Sequence, residues 1–446
     1  MFPYTYIYTI PAIISNRANL YMESVKTNNN GKLLSNFIAL GIVQGTNFLL
    51  PLLIMPYVIS RIGADGFGVV AIAQVLMIYL SSVSDYGFNL TATRDISLCQ
   101  NDDAKLAKIF FTVLATRLII TTFLLILLLI AIGIIPVLKQ HGVLYLTGFT
   151  YVIGQALLVS WFFQGREKMH YITISTLISR LIFVVLVLLF IHKKEDNVFF
   201  LFFLGVGNMI AGLFSIFLAI RKFNISFSKP AWTDIKRELK GGWQITISNL
   251  SINTYMYSSV FILRIFTNDL IVGYYSIAER IFFAARQVLS VFSQVVYPHI
   301  CQLTHQGKEA ANRFFEKIYL PFLLLILAGS AILFIFSPQI VHIFLATAPA
   351  LPVLVLRLLS FVPVVVCLNI PAYQLLLVFN QKRSYLFVFG LATIINIVVN
   401  ILLAKTLGAS GTALGVIITE IFITAGLNRQ LYKNKLSGYL TRSNNN

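Results

Sequence analysis

The sequence contains few charged residues, and acidic ones are the scarcer kind. Charged side chains make up 11% of the 446 positions, with 16 acidic against 34 basic, while hydrophobic residues make up 58%. A soluble domain carries about 25% charged residues, so this composition, with a mean hydropathy of +0.82, excludes an ordinary soluble protein. Residues 118–138 and 198–220 contain no Asp, Glu, Lys or Arg, and each has the roughly 20 residues that a helix needs to cross a bilayer. The sequence therefore predicts an all-α polytopic membrane protein.

Cysteine and metal-binding motifs are also scarce. The three cysteines are widely spaced, and no CxxC, HExxH or Cys/His cluster is present. We therefore expect no disulfide framework, no metal site and no other cofactor. The net charge of +18 would favour a nucleic-acid partner in a soluble protein, but membrane proteins concentrate Lys and Arg in their cytoplasmic loops. We expect no nucleic-acid partner.

Twelve apolar runs lie between charged or turn-forming breaks, and we interpret each as a membrane-spanning helix. They lie near 34–58, 67–90, 109–132, 143–164, 170–191, 198–220, 242–265, 271–298, 318–336, 352–379, 385–404 and 411–431. An even number of spans places both termini on the same side. The loops and tails on that side carry 22 Lys and Arg, against six on the other side. Because basic residues concentrate in cytoplasmic loops, we expect both termini in the cytoplasm.

A weak internal repeat divides the chain into two lobes of six helices. GVVAIAQ at 68–74 resembles GYYSIAE at 273–279, and residues 163–178 resemble 379–394. The predicted segments are a polar leader at 1–31, an N-terminal lobe at 32–220, a cytoplasmic linker at 221–241, a C-terminal lobe at 242–432 and a cytoplasmic tail at 433–446. The leader lacks the basic start of a signal peptide, and our hypothesis is that translation begins at Met22, so that residues 1–21 are not translated.

The predicted linker carries apolar residues at helical spacing. Trp232, Ile235 and Leu239 follow a helical period, with Pro230 at a position that suits a first turn. This pattern predicts an amphipathic helix that lies on the membrane surface and joins the two halves; an unstructured linker is the alternative.

Eight formal charges fall within the predicted spans. They are Asp85, Arg117, Arg180, Glu279, Arg280, Arg286, Arg357 and Glu420. At about 2.5–3.5 kcal/mol for each charge near the bilayer centre, eight such residues would cost on the order of 20–28 kcal/mol. That exceeds the stability of a typical protein, so these side chains must face water, a partner or a ligand.

The arginines among these charges are candidates for binding an anion. We select Arg117, Arg180, Arg280 and Arg286, because a guanidinium presents a planar fork of donors that suits phosphate oxygens. The carboxylates Asp85, Glu279 and Glu420 are candidates for pairing with these arginines or for binding a coupling proton or sodium ion. Arginines outnumber carboxylates in the spans, so pairing alone does not neutralise the set. Structural salt bridges between helices remain the alternative for each residue.

Polar uncharged residues mark a candidate wall of the same cavity. Predicted helix 7 carries Gln244, Asn249 and Asn253, and helix 1, its counterpart in the repeat, carries Gln44 and Asn47. Polar faces are costly against lipid, so we expect these side chains to line an aqueous cleft.

Several stretches resemble a known family. RIGADGFGVVAIAQ, SDYGFNLTATRDI and WFFQGREKM are similar to stretches of the Wzx-type O-antigen flippases, within the multidrug/oligosaccharidyl-lipid/polysaccharide (MOP) exporter superfamily. The resemblance implies about twelve helices in two lobes, arranged as in MATE transporters around a central cationic cavity. It also implies a transporter rather than an enzyme, with no catalytic residues, which moves undecaprenyl-pyrophosphate-linked oligosaccharide across the bacterial inner membrane.

The resemblance further implies a mechanism and partners. We expect alternating access, in which the arginines attract the pyrophosphate and a carboxylate couples transport to a proton or sodium gradient. The expected partners are the lipid-linked oligosaccharide, membrane lipid and other O-antigen assembly proteins. Two alternatives stay open: an ion-coupled multidrug exporter of the same superfamily, and a membrane enzyme such as an O-antigen polymerase. Buried carboxylates in place of arginines would favour the exporter, and a sizeable outer loop would favour the enzyme.

Overall fold

A computed structural model of the protein describes residues 30–100 and 102–440, with the side chains of 30–44, 46–49 and four later positions outside the description. Within these ranges all regular secondary structure is helical and no strand is present. The α-helices are α1 Asn30–Asp85, α2 Phe88–Leu98, α3 Asp103–Ile134, α4 Pro136–Gln140, α5 Gly142–Leu157, α6 Ser160–Gly165, α7 Met169–Phe190, α8 Asn197–Lys222, α9 Trp232–Phe266, α10 Asp269–Gln306, α11 Lys308–Phe314, α12 Leu320–Ile335, α13 Ser337–Phe344, α14 Ala350–Leu359, α15 Val362–Val378 and α16 Lys382–Lys433. The predicted all-α class is confirmed.

Two of these helices are divided by a glycine. α1 has 56 residues and α16 has 52, so a straight helix of either length would extend for roughly 80 Å, far beyond the roughly 30 Å of bilayer hydrocarbon. The backbone is non-helical at Gly63, with φ 78° and ψ 164°, and at Gly408, with φ 58° and ψ −133°. Positive φ is readily adopted only by glycine. Each long helix therefore consists of two arms.

The arms of α16 pack against each other as an antiparallel hairpin. A Cβ added at Gly411 would lie 2.0 Å from the Leu403 carbonyl oxygen, and one at Gly415 would lie 2.9 Å from Asn400 Oδ1. Further from the bend, Asn396 Nδ2 donates to Thr419 Oγ1 at 3.2 Å. Successive contacts step in opposite directions along the two arms, so the chain reverses at Gly408.

The described part of the chain contains eight helical segments that are long and apolar enough to cross a membrane. Two of them, Leu50–Leu98 and Arg383–Lys433, each include a dividing glycine. The helices α9 and α10 have 35 and 38 residues but are more polar and are not among the eight. If both arms of each divided helix are counted and α9 and α10 are added, the total is twelve spans. This total is consistent with the number predicted from the sequence.

The helix predicted in the linker is present but is continuous with predicted helix 7, and its place at the membrane surface stays a prediction. Trp232 begins α9, which continues as one helix to Phe266, so the residues predicted as a linker helix are the first turns of predicted helix 7. Trp232 is exposed, whereas Ile235 is buried. Gly241 and Gly242 lie within this helix, although glycine lowers helix propensity. Close packing at Gly242, described below, explains its place there.

The chain forms two compact units, Met1–Asn253 and Thr254–Asn446, and the boundary between them falls inside α9. The aromatic core of the first unit joins two of the stretches that resemble the flippases. Phe88, Ala92 and Ile96 of α2 pack with Trp161, Phe162 and Phe163 of α6. A Cβ at Gly165 would lie 2.7 Å from Ile96 Cβ, so only glycine lets these two short helices approach so closely.

Candidate functional site

Arg117 is buried in the first unit and is held by three acceptors. Its Nη2 lies 3.3 Å from Asp85 Oδ1 and donates to the Gln155 carbonyl oxygen at 2.8 Å, while Nη1 donates to the Leu158 carbonyl oxygen at 2.9 Å. The two carbonyls belong to the C-terminal end of α5, where helical carbonyls lack partners within the helix. The guanidinium therefore joins α3 to α5 and to the end of α1.

Asp85 is positioned by a break in the chain that follows it at once. Tyr86 and Gly87 have positive φ values of 48° and 78°, and α2 starts at the next residue. Asn89 of α2 donates its Nδ2 to Asp85 Oδ1 at 2.8 Å. The SDYGFN stretch therefore ends one helix, begins another and presents a carboxylate to Arg117.

Arg180 is also buried in the first unit, on α7. It lies within electrostatic reach of Tyr151 on α5. The preceding residue, Ser179, donates its Oγ to Asn208 Oδ1 of α8 at 2.6 Å. The predicted anion-binding residue therefore lies where α5, α7 and α8 meet in a polar part of the interior.

In the second unit, Arg286 of α10 pairs with Glu420 of α16. The Nη2 atom lies 3.0 Å from Glu420 Oε1, and both side chains are buried. Tyr255 of α9 donates its hydroxyl to the same Glu420 oxygen, and the hydroxyl oxygen lies 3.5 Å from Arg286 Nη2. Three helices thus contribute one side chain each to an arginine–carboxylate–phenol cluster.

Glu279 and Arg280 are neighbours on α10. Glu279 is buried and Arg280 is half-buried, and Arg280 lies within electrostatic reach of Glu279 and of Tyr257 on α9. The structure therefore places Glu279 and Glu420 in the same unit as Arg280 and Arg286, and places Asp85 in the same unit as Arg117 and Arg180. The roles predicted for these residues stay predictions.

The polar residues of α9 lie on two faces. Gln244 is exposed, together with Ser248 and Ser251, while Asn249 and Asn253 are buried. The hydroxyls of Ser248 and Ser251 donate to carbonyls of their own helix at 3.0 and 2.9 Å. Gln44 and Asn47 lie outside the described side chains. Their predicted place in a cavity wall stays a prediction.

Sequence reasoning missed Tyr255 and a buried polar network beside it. Ser258 of α9 donates its Oγ to Asn396 Oδ1 at 3.2 Å, and Asn396 in turn contacts Thr419, the residue before Glu420. Asn396 and Thr419 are almost completely buried. The signal available in the sequence was the pair of asparagines in NIVVN, four residues apart in an otherwise apolar run.

A second ionic cluster precedes the apolar part of α9. Asp234 Oδ2 lies 2.9 Å from Lys108 Nζ, and Oδ1 lies 3.0 Å from Arg237 Nη2. The hydrogen-bonding contact with the Lys108 ammonium group holds the pKa of Asp234 below its ordinary value of 3.8. The carboxylate therefore fixes the start of α9 to α3 within the first unit.

Among the described residues no group of three or more His, Cys, Asp and Glu could hold a metal ion.

Comparisons with known proteins agree with this architecture. The model of a family described as "Polysaccharide biosynthesis protein" matches residues 33–304. A protein of Escherichia coli (strain K12) named "Putative O-antigen transporter" is 27% identical over 402 residues, which cover 90% of this chain and 97% of that protein.

Two solved structures resemble the chain over most of its length. One is the inward-facing conformation of a multidrug resistance transporter of the MATE family, in the MOP superfamily, with a TM-score of 0.68, 16% identity, and coverage of 92% of this chain and 99% of that one. The other is the inward closed conformation of the lipid II flippase MurJ, with a TM-score of 0.68, 13% identity, and coverage of 91% and 89%. At these identities the likeness shows a shared fold alone, and it agrees with the MATE-like arrangement predicted from the sequence.

Proposed function

We propose, from the premise that this chain belongs to the family of polysaccharide biosynthesis proteins, that it is a flippase for lipid-linked oligosaccharide. The observation that carries the proposal is the match to the O-antigen transporter of Escherichia coli, because it spans nearly the whole of both proteins. The name of that relative is the name of a transporter, which favours transport over the polymerase alternative.

The substrate class follows from the chemistry of the interior. Each unit buries at least one arginine in a long helix, Arg180 in the first and Arg286 in the second. Buried guanidinium groups suit an anionic headgroup, since arginine binds phosphate oxygens through two parallel hydrogen bonds. We propose undecaprenyl-pyrophosphate-linked O-antigen repeat units as the substrate, with the lipid tail remaining in the bilayer. Polar residues on α9, including Gln244 and Asn249, would accommodate sugar hydroxyls.

The proposed mechanism is alternating access in the bacterial inner membrane. Transporters with repeated halves commonly bind their substrates near mid-membrane and expose them to one side at a time. Energy would come from a proton or sodium gradient, with Asp85, Glu279 or Glu420 as the coupling carboxylate. Other O-antigen assembly proteins would supply the repeat unit and polymerise it after transport.

Complementation in cells tests the proposal. The gene is expressed in a bacterium that lacks its own flippase and makes the matching repeat unit, and surface polysaccharide is measured beside lipid-linked repeat units that accumulate inside. We expect the wild type to restore the polymer and Arg180→Ala or Arg286→Ala to abolish it while still reaching the membrane. Arg94→Ala, at an exposed arginine of α2, is the matched control and should restore the polymer fully.

The multidrug exporter alternative is supported by the structural likeness to a MATE transporter, which equals the likeness to the lipid II flippase. The fold therefore does not separate the two functions. Drug tolerance is measured in the same cells. Raised tolerance to organic cations without any recovery of surface polysaccharide would establish the exporter and refute the flippase.

A further inference from the structure

Two of the buried candidate arginines, Arg117 and Arg286, face a carboxylate but are held by different kinds of partner. Arg117 is held by two backbone carbonyls as well as Asp85, and backbone carbonyls at a helix end cannot leave without unwinding the helix. Arg286 faces Glu420 and Tyr255, whose side chains come from two other helices. A side-chain carboxylate can be replaced by another anion through rotation of side chains alone. Arg286 is thus the better suited of the two to exchange its partner.

The phenol of Tyr255 contacts both members of the pair. Its hydroxyl donates to Glu420 and lies within contact distance of Arg286. If the guanidinium turned to another anion, the Glu420 carboxylate would retain this donor. Leaving a buried carboxylate without any partner is expensive, so Tyr255 lowers the cost of releasing Arg286.

The helices that carry Glu420 and Tyr255 are fixed to each other independently of the arginine. Ser258 contacts Asn396, and Asn396 contacts Thr419, at 3.2 Å in each case. Ser258 lies one turn after Tyr255 and Thr419 directly precedes Glu420, and all three residues of the network are buried. The carboxylate and the phenol therefore keep their places when the arginine moves.

We propose that Arg286, Glu420 and Tyr255 form an exchange triad, in which Glu420 is an internal competitor that occupies the guanidinium of Arg286 until the diphosphate of the substrate displaces it. The inference rests on the proposed function and specifies how its binding site is regulated. An unpaired guanidinium in a membrane interior is costly, so the empty transporter needs a resident anion. Glutamate supplies a single negative charge, which a diphosphate can displace because it carries more charge and more oxygens.

Binding to purified full-length protein in lipid nanodiscs tests the triad. The probes are geranylgeranyl pyrophosphate and, as a matched control, geranylgeranyl monophosphate. The wild type should bind the pyrophosphate more tightly. The variant Glu420→Gln removes the competitor, and if the competent state is about one tenth populated in the wild type, its affinity for the pyrophosphate should rise about tenfold.

Two further variants separate exchange from a merely structural salt bridge. Tyr255→Phe removes the donor that remains with the released carboxylate, so the pyrophosphate affinity should fall roughly fivefold, the effect of one lost hydrogen bond. The double variant Arg286→Glu with Glu420→Arg keeps an ion pair but moves the guanidinium to α16. It should unfold at the wild-type temperature and no longer bind the pyrophosphate.

Each outcome decides between the two roles. Pyrophosphate affinity that is unchanged in Glu420→Gln, or that is retained in the charge-swapped variant, would refute the triad and leave the pair as a structural bridge. If Glu420→Gln does not fold, the charge swap and Tyr255→Phe decide between the exchange triad and the structural bridge. Failure of the wild type to bind either probe would instead count against the proposed function itself.

Discussion

Arg117 and Arg286 are both buried and each faces a carboxylate, yet the rest of their contacts differ. Arg117 donates to the carbonyls at the end of α5, and so it supplies partners that a helix terminus needs. Arg286 contacts side chains of α9 and α16. At the scale of the residue, this difference is why we expect Arg117 to act mainly on stability and Arg286 to act in the proposed exchange.

Arg117→Ala should therefore destabilise the protein strongly. The substitution removes the guanidinium from two carbonyls and from Asp85, which keeps only the neutral donor Asn89 among the contacts given above. Breaking a buried ion pair by removing one partner costs about 3–5 kcal/mol. The measurement is the free energy of unfolding in a detergent titration followed by circular dichroism. Arg94→Ala at an exposed site is the control, and an equal loss in both variants would contradict the structural role.

Asp234 should contribute stability that depends on pH. Its folded pKa is depressed below the ordinary value of 3.8 by Lys108, so the folded state binds the proton less readily than the unfolded chain does. The contribution is complete above the unfolded pKa and is lost as the pH falls through the folded pKa. The difference in melting temperature between the wild type and Asp234→Asn should thus be constant at neutral pH and narrow below about pH 3.8. Asp103→Asn, at an exposed carboxyl, is the control; a difference that grows on acidification would contradict the assignment.

At the scale of the element, α9 packs against the non-helical break between α1 and α2, at Tyr86 and Gly87. A Cβ at Gly87 would lie 2.6 Å from Ile245 Cγ2, and one at Gly242 would lie 2.5 Å from the Tyr86 carbonyl oxygen. Glycine on both sides lets the backbone of α9 contact the backbone of the break. This packing, together with Asp234, anchors the first half of α9 to the first unit.

Two adjacent glycines of α9, Gly241 and Gly242, provide a matched test of this packing. Gly242→Ala would force the Tyr86 backbone to move, and overpacking of this kind costs about 1–3 kcal/mol. Gly241→Ala meets no atom within 4 Å and should stabilise the helix by up to about 1 kcal/mol. Melting temperatures of the two variants should therefore shift in opposite directions. A gain in both would show that α9 does not rest on Tyr86.

The elements themselves were largely predictable, because a membrane span is a local property of the chain. Predicted spans at 170–191 and 198–220 differ by one or two residues from α7 and α8. The break after Asp85 was not predicted, since the predicted span at 67–90 continues past it to residue 90. Tyr86 adopts a left-handed conformation there, which is uncommon for a residue other than glycine. The prediction also ended the linker at residue 241, whereas α9 continues through this position, where packing against Tyr86 favours a small residue at Gly242.

At the scale of the whole molecule, the twelve predicted spans place both termini on one side. Reporter fusions test this. Green fluorescent protein fused after the last residue should fluoresce, as it does in the cytoplasm, and alkaline phosphatase fused there should be inactive. Fused instead after Lys139, near the end of α4, the phosphatase should be active and the fluorescent protein dark. An active phosphatase at the C-terminus would contradict the predicted orientation and the even number of spans.

The sequence by itself determined that this protein is a helical membrane protein. The length and hydropathy of each apolar run indicate a membrane-spanning helix without reference to the rest of the chain. Family membership was also readable, from short stretches such as SDYGFN and WFFQG. Only the tertiary structure decided which arginine meets which carboxylate, since Arg286 and Glu420 are far apart in sequence and are brought together by the reversal of α16 at Gly408. The tertiary structure also revealed Tyr255 as their common partner, because no sequence pattern around a tyrosine in a long helix points to a buried ion pair on two other helices.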